Sequence, residues 1–485
     1  MAARMAARCQ WKRSAVLMTA LAWAPLGAVA PADAQDAAVS AAAVQAAESW
    51  TGEVELPGGA LLEFALSITR GEEPAATIDI PSQGAIAMPI EVVRIEGDEY
   101  ELRLPAPANA DIVGRINDAG ELTGVLKQAG MEFPFTMTRQ AEAEAGPARP
   151  QHPEAPFPYL SEDFSFRNDF AGIELAGTLT IPEGSGPFPA AVLVSGSGPQ
   201  DRDETLVGHK PFWVIADHLT RRGIAVLRYD DRGTAASGGD FASATTDDFA
   251  ADALAALHAL QADTRIDPLR IGIIGHSEGG IVAPIAAAQD HGVAYAVLLA
   301  GTGVNGGEVI RSQQVAMAQA SGAPDEAVRA LDTGLREIVS AVRTADRVTI
   351  EENLRRALVY QNPGMDDATL EQVLAGQVGF FSSGWMRRFV EIDPADVLRR
   401  MNIPVLAVSG SLDLQVLPEI NVEPMRRALE SAPTDDVTIL VYPELNHLFQ
   451  EAQTGLMSEY ATIEETFSPR VLEMMSDWIA QRFLD

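Results

Sequence analysis

The spacing of apolar residues changes twice along the chain. From Trp50 to Arg139, short segments alternate apolar and polar residues (61–69, 76–80, 90–95, 99–104 and 133–138) and are separated by Gly, Pro, Asn and Asp. A period of two means one buried face and one wet face, which predicts a small antiparallel β-domain, barrel or sandwich, over 48–140. Residues 141–158 are rich in Pro and Ala and read as a linker. Beyond them the apolar runs become continuous, at 190–195, 224–229, 271–274, 294–299, 405–408 and 437–441. A strand that is apolar on both sides belongs to a parallel sheet covered on both faces. Helical spacing at 211–222, 246–261, 278–289, 419–431 and 466–483 fills the gaps, and segments 164–168 and 173–181 make a hairpin-like start. The alternation predicts an α/β fold over 159–485, a doubly wound, mostly parallel sheet. Residues 302–398 hold no good strand, while 325–343 and 350–359 have helical spacing. Helices inserted there would sit over the carboxyl ends of the strands as a cap.

The first 34 residues have another character. Arg4, Arg8, Lys12 and Arg13 precede an apolar, alanine-rich stretch from Ser14 to Ala30, and two Ala-x-Ala sites end at Ala30 and Ala34. This is the layout of a signal peptide, too short and weakly flanked for a permanent membrane anchor, and it predicts an exported, periplasmic or secreted protein. Cys9 is the single cysteine, so cleavage would leave none for disulfides, thiolate catalysis or metal binding. The formal net charge is −33, and removal of residues 1–34 would leave 31 Lys+Arg against 67 Asp+Glu. Such a surface repels nucleic acid and anionic lipid. Whether copies associate into a homo-oligomer is left open by the sequence.

The chemistry gathers around residues 270–280, RIGIIGHSEGG. A short apolar strand runs into Gly275, His276, Ser277, Glu278 and Gly279, and a small-residue helix follows. Gly-x-Ser-x-Gly between strand and helix is the pattern of a nucleophile elbow, whose tight turn only flanking glycines permit. A serine hydroxyl needs a base, and the base needs an orienting carboxylate. Both are expected just past later strands. Asp413 follows IPVLAVSG, and His447 follows VTILVYPE. The only other histidine downstream is His291, at a helix end, where it reads as a capping residue; Asp393, Asp396, Asp435 and Asp436 compete less well with Asp413. Of these, Asp396 reads as the cap of a short helix. The order Ser277, Asp413, His447 is that of an α/β-hydrolase triad. The oxyanion formed on attack needs two N–H donors. Those expected are the backbone N–H of Glu278 and that of Ser197, in the glycine-rich loop VLVSGSGPQDRD. His276 reads as packing. Arg202 and Asp203 read either as lining the substrate site or as a local salt bridge, and Asp230, Asp231 and Arg232 as loop braces. No metal-ligand spacing occurs, so no metal or cofactor is expected.

On SGSGPQDRD, YDDRG, GHSEGG, WMRRFVEIDPADVL before IPVLAVSGSLDLQV, and LNHLFQ, residues 160–485 resemble the bacterial exported α/β-hydrolase esterases related to prolyl-oligopeptidase-like and dienelactone-hydrolase-like enzymes. Some exported members carry an amino-terminal domain like the β-rich stretch here. The resemblance implies hydrolysis of a small-molecule carboxylic ester through an acyl-serine. GTAASG at 233–238 is looser than the glycine-serine loop usual in that family. A serine peptidase of the same fold is the alternative, and a non-catalytic exported binding protein the more distant one.

Overall fold

A computed structural model describes residues 48–484, apart from short stretches at 56–60, 72–73, 81–84, 105–109, 129–130, 141–146 and 362–366. The expected signal peptide lies outside the described residues. Among those described, no helix is long and apolar enough to cross a membrane.

The alternating segments close into an eight-stranded antiparallel barrel. Its strands are β1 (Glu48–Glu55), β2 (Leu61–Thr69), β3 (Ala75–Ile80), β4 (Ala85–Glu96), β5 (Glu99–Leu104), β6 (Ala110–Ile116), β7 (Glu121–Gln128) and β8 (Met131–Gln140). Each pairs with the next, and β8 returns to β1 with Trp50 opposite Arg139. Closure leaves no open edge. Trp50, Phe64, Leu66, Ile68, Leu102, Ile112, Leu122 and Met137 point inward and fill the lumen.

The α/β part is one eight-stranded sheet in the order β16-β15-β14-β13-β11-β12-β10-β9. Strands β9 (Tyr159–Asn168) and β10 (Ile173–Pro182) form the antiparallel start, followed by β11 (Phe188–Val194), β12 (Ala225–Tyr229), β13 (Ile266–His276), β14 (Ala296–Leu299), β15 (Val405–Gly410) and β16 (Val437–Tyr442). From β12 to β16 the neighbours run parallel. Along β11, Ala190, Val192 and Val194 face one core while Ala191 and Leu193 face the other, which is why the run is continuously apolar. Helices α1 (Pro211–Arg221), α2 (Thr246–Ala262) and α3 (Gly279–Gln289) connect the central strands. From β11 the chain moves outward to β12, and from β13 it moves the opposite way to β14. Adjacent strands whose connections diverge leave a crevice at their carboxyl ends, where sites of open α/β sheets form.

Between β14 and β15 lie α4 (Gly306–Ala320), α5 (Asp325–Thr344), α6 (Arg347–Gln361), α7 (Asp367–Phe381), α8 (Gly384–Glu391) and α9 (Pro394–Leu398), and the segments of helical spacing at 325–343 and 350–359 fall in α5 and α6. They share a core of their own that includes Ile310, Ile338, Leu354, Leu374 and Phe389. Polar contacts fasten the insertion to the body, among them Arg388 with Asp247 at the start of α2 and the Gly303 N–H, which donates to the Asn421 side chain (2.8 Å). Asn421 belongs to α10 (Pro418–Glu430), and α11 (Pro469–Phe483) ends the chain.

The described part of the expected linker is bound rather than loose. Arg149 donates to the carbonyls of Val207 (3.1 Å), Ala461 (3.3 Å) and Ile463. Gln151 donates to the Phe467 carbonyl (2.7 Å) and accepts from the N–H groups of Thr466 (2.6 Å) and Phe467 (3.0 Å).

Strand β13 carries the nucleophile candidate, and its packing is tight. A Cβ at Gly272 would lie 2.2 Å from the Tyr295 ring, whose hydroxyl donates to the Ala190 carbonyl (3.0 Å). Gly272→Ala should therefore destabilise by about 1–3 kcal/mol through overpacking. Urea unfolding checks this, and an unchanged midpoint would contradict the packing described.

Candidate active site

The elbow is built by backbone contact. A Cβ at Gly275 would sit 1.9 Å from the Gly279 carbonyl oxygen, one at Gly279 2.2 Å from that of Val194, and one at Gly280 2.5 Å from Gly301 Cα. Only glycine fits at these three positions. Ser277 is forced to φ +53°, a left-handed conformation costly for a residue with a side chain and tolerated where the surroundings over-determine it. Its N–H is held by the Leu299 carbonyl at 2.8 Å. Ser277 is half-buried, between the buried His276 and Glu278. Helix α3 begins two residues later and presents its N-terminal N–H groups to the same space.

Asp413 lies past β15 and is 2 % exposed. Its Oδ1 accepts the N–H groups of Gln415 and Val416, both at 2.8 Å. Oδ2 faces Nδ1 of the buried His447 at 2.9 Å. A carboxylate accepts only, so Nδ1 carries the proton and Nε2 is left basic. Among the described residues no hydrogen bond joins Ser277 Oγ to His447, a contact that is often long in unliganded hydrolases and closes with substrate bound.

The loop after β11 supplies the opposite wall. The Gly196 N–H donates to Glu204 Oε1 at 2.8 Å, and Ser197, the expected oxyanion donor, is the next residue. Ser197 and Glu278 both line the cleft with Ser277. That cleft encloses about 20 Å³, room for a water-sized group. Val309 and Ile310 of α4, Phe389 of α8 and Val416 form its apolar walls, and Thr302, Gln313 and Gln415 its polar ones.

The competing residues have structural employment. Asp436 pairs with Arg482 (2.7 Å). His291 is exposed in the turn after α3. The cap of the short helix α9 is Asp393, which accepts from Ala395 N–H (3.0 Å), and not Asp396, which pairs with Arg399 (2.5 Å). The helix starts at Pro394, earlier than its apolar residues suggest, because a proline needs no N–H partner at a first turn. Arg202 turns away from the cleft: it pairs with Asp230 (2.7 Å) and donates to the Gly177 carbonyl (2.8 Å). Asp203 pairs with Lys210 (3.1 Å) and Arg228. Asp231 accepts from Ser195 Oγ (2.8 Å) and Gln200 N–H (2.9 Å), and Arg232 donates to Asp252 (2.7 Å). The YDDRG and SGSGPQDRD segments thus clamp one another.

Three participants escaped the sequence reading. Glu204 directly follows the quoted QDRD run, but only its contacts show that it faces inward. His276, expected as packing, has both ring nitrogens hydrogen-bonded. Trp385 of α8 donates its indole N–H to the Glu278 carboxyl (2.9 Å), which also accepts from Thr246 Oγ1 (2.7 Å).

The family model of serine aminopeptidases of the S33 class (Hydrolase_4) matches residues 212–452. Esterase EstD of Thermotoga maritima is 32% identical over 324 residues, covering 67% of this chain and 69% of EstD. Among solved structures, a Pyrococcus furiosus esterase aligns at 14% identity and TM-score 0.43, over 71% of this chain and all of its own. A proline iminopeptidase of Mycobacterium smegmatis aligns at 16% identity and TM-score 0.40, over 66% and 98% of the two chains.

Burial raises the Glu278 carboxyl from 4.5 to about 7, against the lowering effect of Thr246 and Trp385. From pH 4.5 to 7 the folded chain keeps a proton that the unfolded chain has lost. Stability from this group is thus full below pH 4.5 and falls as pH rises through 7, by on the order of 3 kcal/mol. Glu278→Gln, which keeps an acceptor for both donors, should flatten the fall. Unfolding midpoints at pH 5 and pH 8 check this, and equal slopes in the two proteins would refute it.

Proposed function

The chain belongs to the S33-type (Hydrolase_4) family of α/β-hydrolases and is homologous to esterase EstD, and from this we propose that it hydrolyses carboxylic esters through an acyl-enzyme formed on Ser277. The observation that carries the assignment of residues is the buried Asp413–His447 pair on the strand-end face that holds Ser277 at φ +53°. Ser277 Oγ attacks the ester carbonyl while His447 Nε2 takes its proton. Asp413 keeps the imidazole in the required tautomer and offsets the imidazolium charge. The N–H groups of Ser197 and Glu278 receive the developing oxyanion. His447 returns the proton to the leaving alcohol, then deprotonates the water that releases the acid. Charge develops on one oxygen, which is where fixed backbone donors help most.

The lining of the cleft favours an ester with uncharged groups around the carbonyl. Among the described residues that line it, the one ionisable side chain is that of Glu278, whose carboxyl is already taken by Thr246 and Trp385. A peptidase that holds a free amine or carboxylate would want a charged partner free to meet it. The family description keeps the peptidase as a second reading. The basic, apolar leader at 1–34 supports export of the mature enzyme.

Ser277→Ala should reduce kcat toward a millionth and abolish labelling by a fluorophosphonate. Asp413→Asn should cost about 10⁴-fold in kcat through the wrong tautomer. Hydrolysis of short p-nitrophenyl acyl esters beside aminoacyl-nitroanilides decides between the readings. Anilide turnover without ester turnover would make the protein a peptidase, and turnover surviving Ser277→Ala would sink the triad.

A further inference from the structure

Two buried ionisable side chains touch the site without any role in proton or acyl transfer. Glu204 is 4 % exposed and held at φ +52°. Its Oε1 accepts two hydrogen bonds, from Gly196 N–H (2.8 Å) and from His276 Nδ1 (2.9 Å). His276 Nε2 lies 3.0 Å from the carbonyl oxygen of His447, and the two imidazole rings are 4.7 Å apart. Both ring nitrogens of His276 therefore face acceptors. A neutral imidazole has one N–H, so only the imidazolium donates to both.

We propose that Glu204 and His276 form a buried carboxylate–imidazolium pair that positions the catalytic loops, fixing the oxyanion donor of Ser197 through Gly196 and the base His447 through its own carbonyl. The proposal rests on the ester-hydrolase reading of Ser277, Asp413 and His447. Neither residue touches substrate; each acts through another.

The geometry assigns a separate task to each contact. With Gly196 N–H committed to Glu204, the backbone past β11 has a single register, in which the N–H of Ser197 is next in line. A Cβ at position 196 would lie 3.1 Å from Ser277 Cβ and 3.4 Å from Glu204 Oε1, so the loop passes between nucleophile and carboxylate with no room to spare. His276 carries the hold to the third loop. It sits immediately before Ser277 and grips the backbone of the residue that must deprotonate Ser277. The loops after β11, β13 and β16 are thus joined by one ion pair.

The charge is maintained where burial alone would remove it. Burial acts to lower the His276 pKa, but the Glu204 carboxylate, with the His447 carbonyl and the more distant Asp413, outweighs it and the pKa is raised. Asp231, braced against the same loop by Ser195 and Gln200, is a carboxyl that feels the Glu204 charge.

The test compares Glu204→Ala and Glu204→Gln with wild type and Ser277→Ala on a short p-nitrophenyl ester, with thermal unfolding of each. Glu204→Ala should lower kcat by about 10²–10³-fold, the loss typical of a misplaced oxyanion donor, with KM within about threefold. Glutamine, which still offers an oxygen to Gly196 and His276, should recover at least tenfold of that loss. Nitrogen-detected NMR of histidine-labelled protein at pH 7.5, assigned with His276→Gln, should show both His276 nitrogens protonated in wild type and one in Glu204→Gln. That signature, together with the glutamine variant, decides the matter if alanine fails to fold. A neutral His276 in wild type, or full kcat in a folded Glu204→Ala, overturns the proposal while an inactive Ser277→Ala leaves the triad standing. Turnover by Ser277→Ala overturns the triad itself.

Discussion

A strand that turns into a helix within three residues brings its own two arms, and the strands beside it, into backbone contact. Here that contact sets the architecture. The Gly275 and Gly279 backbones meet, Gly279 lies against Val194 of β11, and Gly280 lies against Gly301 beyond β14. Three neighbouring strands are thereby fixed at the same height. Ser277 is oriented by the main chain alone, in a conformation it would not choose. With the proposed nucleophile fixed in this way, its proposed partners must be brought to it. The loops beyond β11, β15 and β16 are accordingly braced, by Asp231, by the N–H groups that pin Asp413, and by His276.

What could be read in the sequence follows from how local each signal is. Ser277, Asp413 and His447 each stand just past an apolar run, so type and position could be read together, and the structure brings the last two into contact. The parallel sheet was legible because burial on both faces leaves an unbroken apolar word. The barrel was half legible. Strands β1, β6 and β7 were not among the segments picked out, and closure depends on pairing Glu48–Glu55 with strands at both ends of the domain, which no local pattern encodes. Least legible were contacts between distant residues: Glu204 with His276 is 72 positions apart, and Trp385 with Glu278 is 107. No periodicity encodes them. Arg202 shows the opposite failing, a charged side chain near the site in sequence that the fold turns back against the sheet.

The helical insertion does more than cover. Helix α8 gives Phe389 to the wall of the cleft and Trp385 to the Glu278 carboxyl. A shift of α8 would alter the shape of the cleft and the surroundings of Glu278 together. Among the described residues, the polar side chains lining the cleft are hydroxyls, amides and the Glu278 carboxyl, and none is cationic.

The bound segment around Arg149 and Gln151 redraws the frontier between the two halves of the chain. Judged by regular structure, the hydrolase body begins at Tyr159. Judged by hydrogen bonds it begins a turn of chain earlier, because the carbonyls of Ala461, Ile463 and Phe467 and two N–H groups find their partners in residues 149–151. Those groups belong to the segment that follows His447, and unmet they would each carry a desolvation penalty. For anyone dissecting or grafting this enzyme, a cut at Tyr159 would strip the body of these hydrogen bonds, and the apparent spacer is part of the machine.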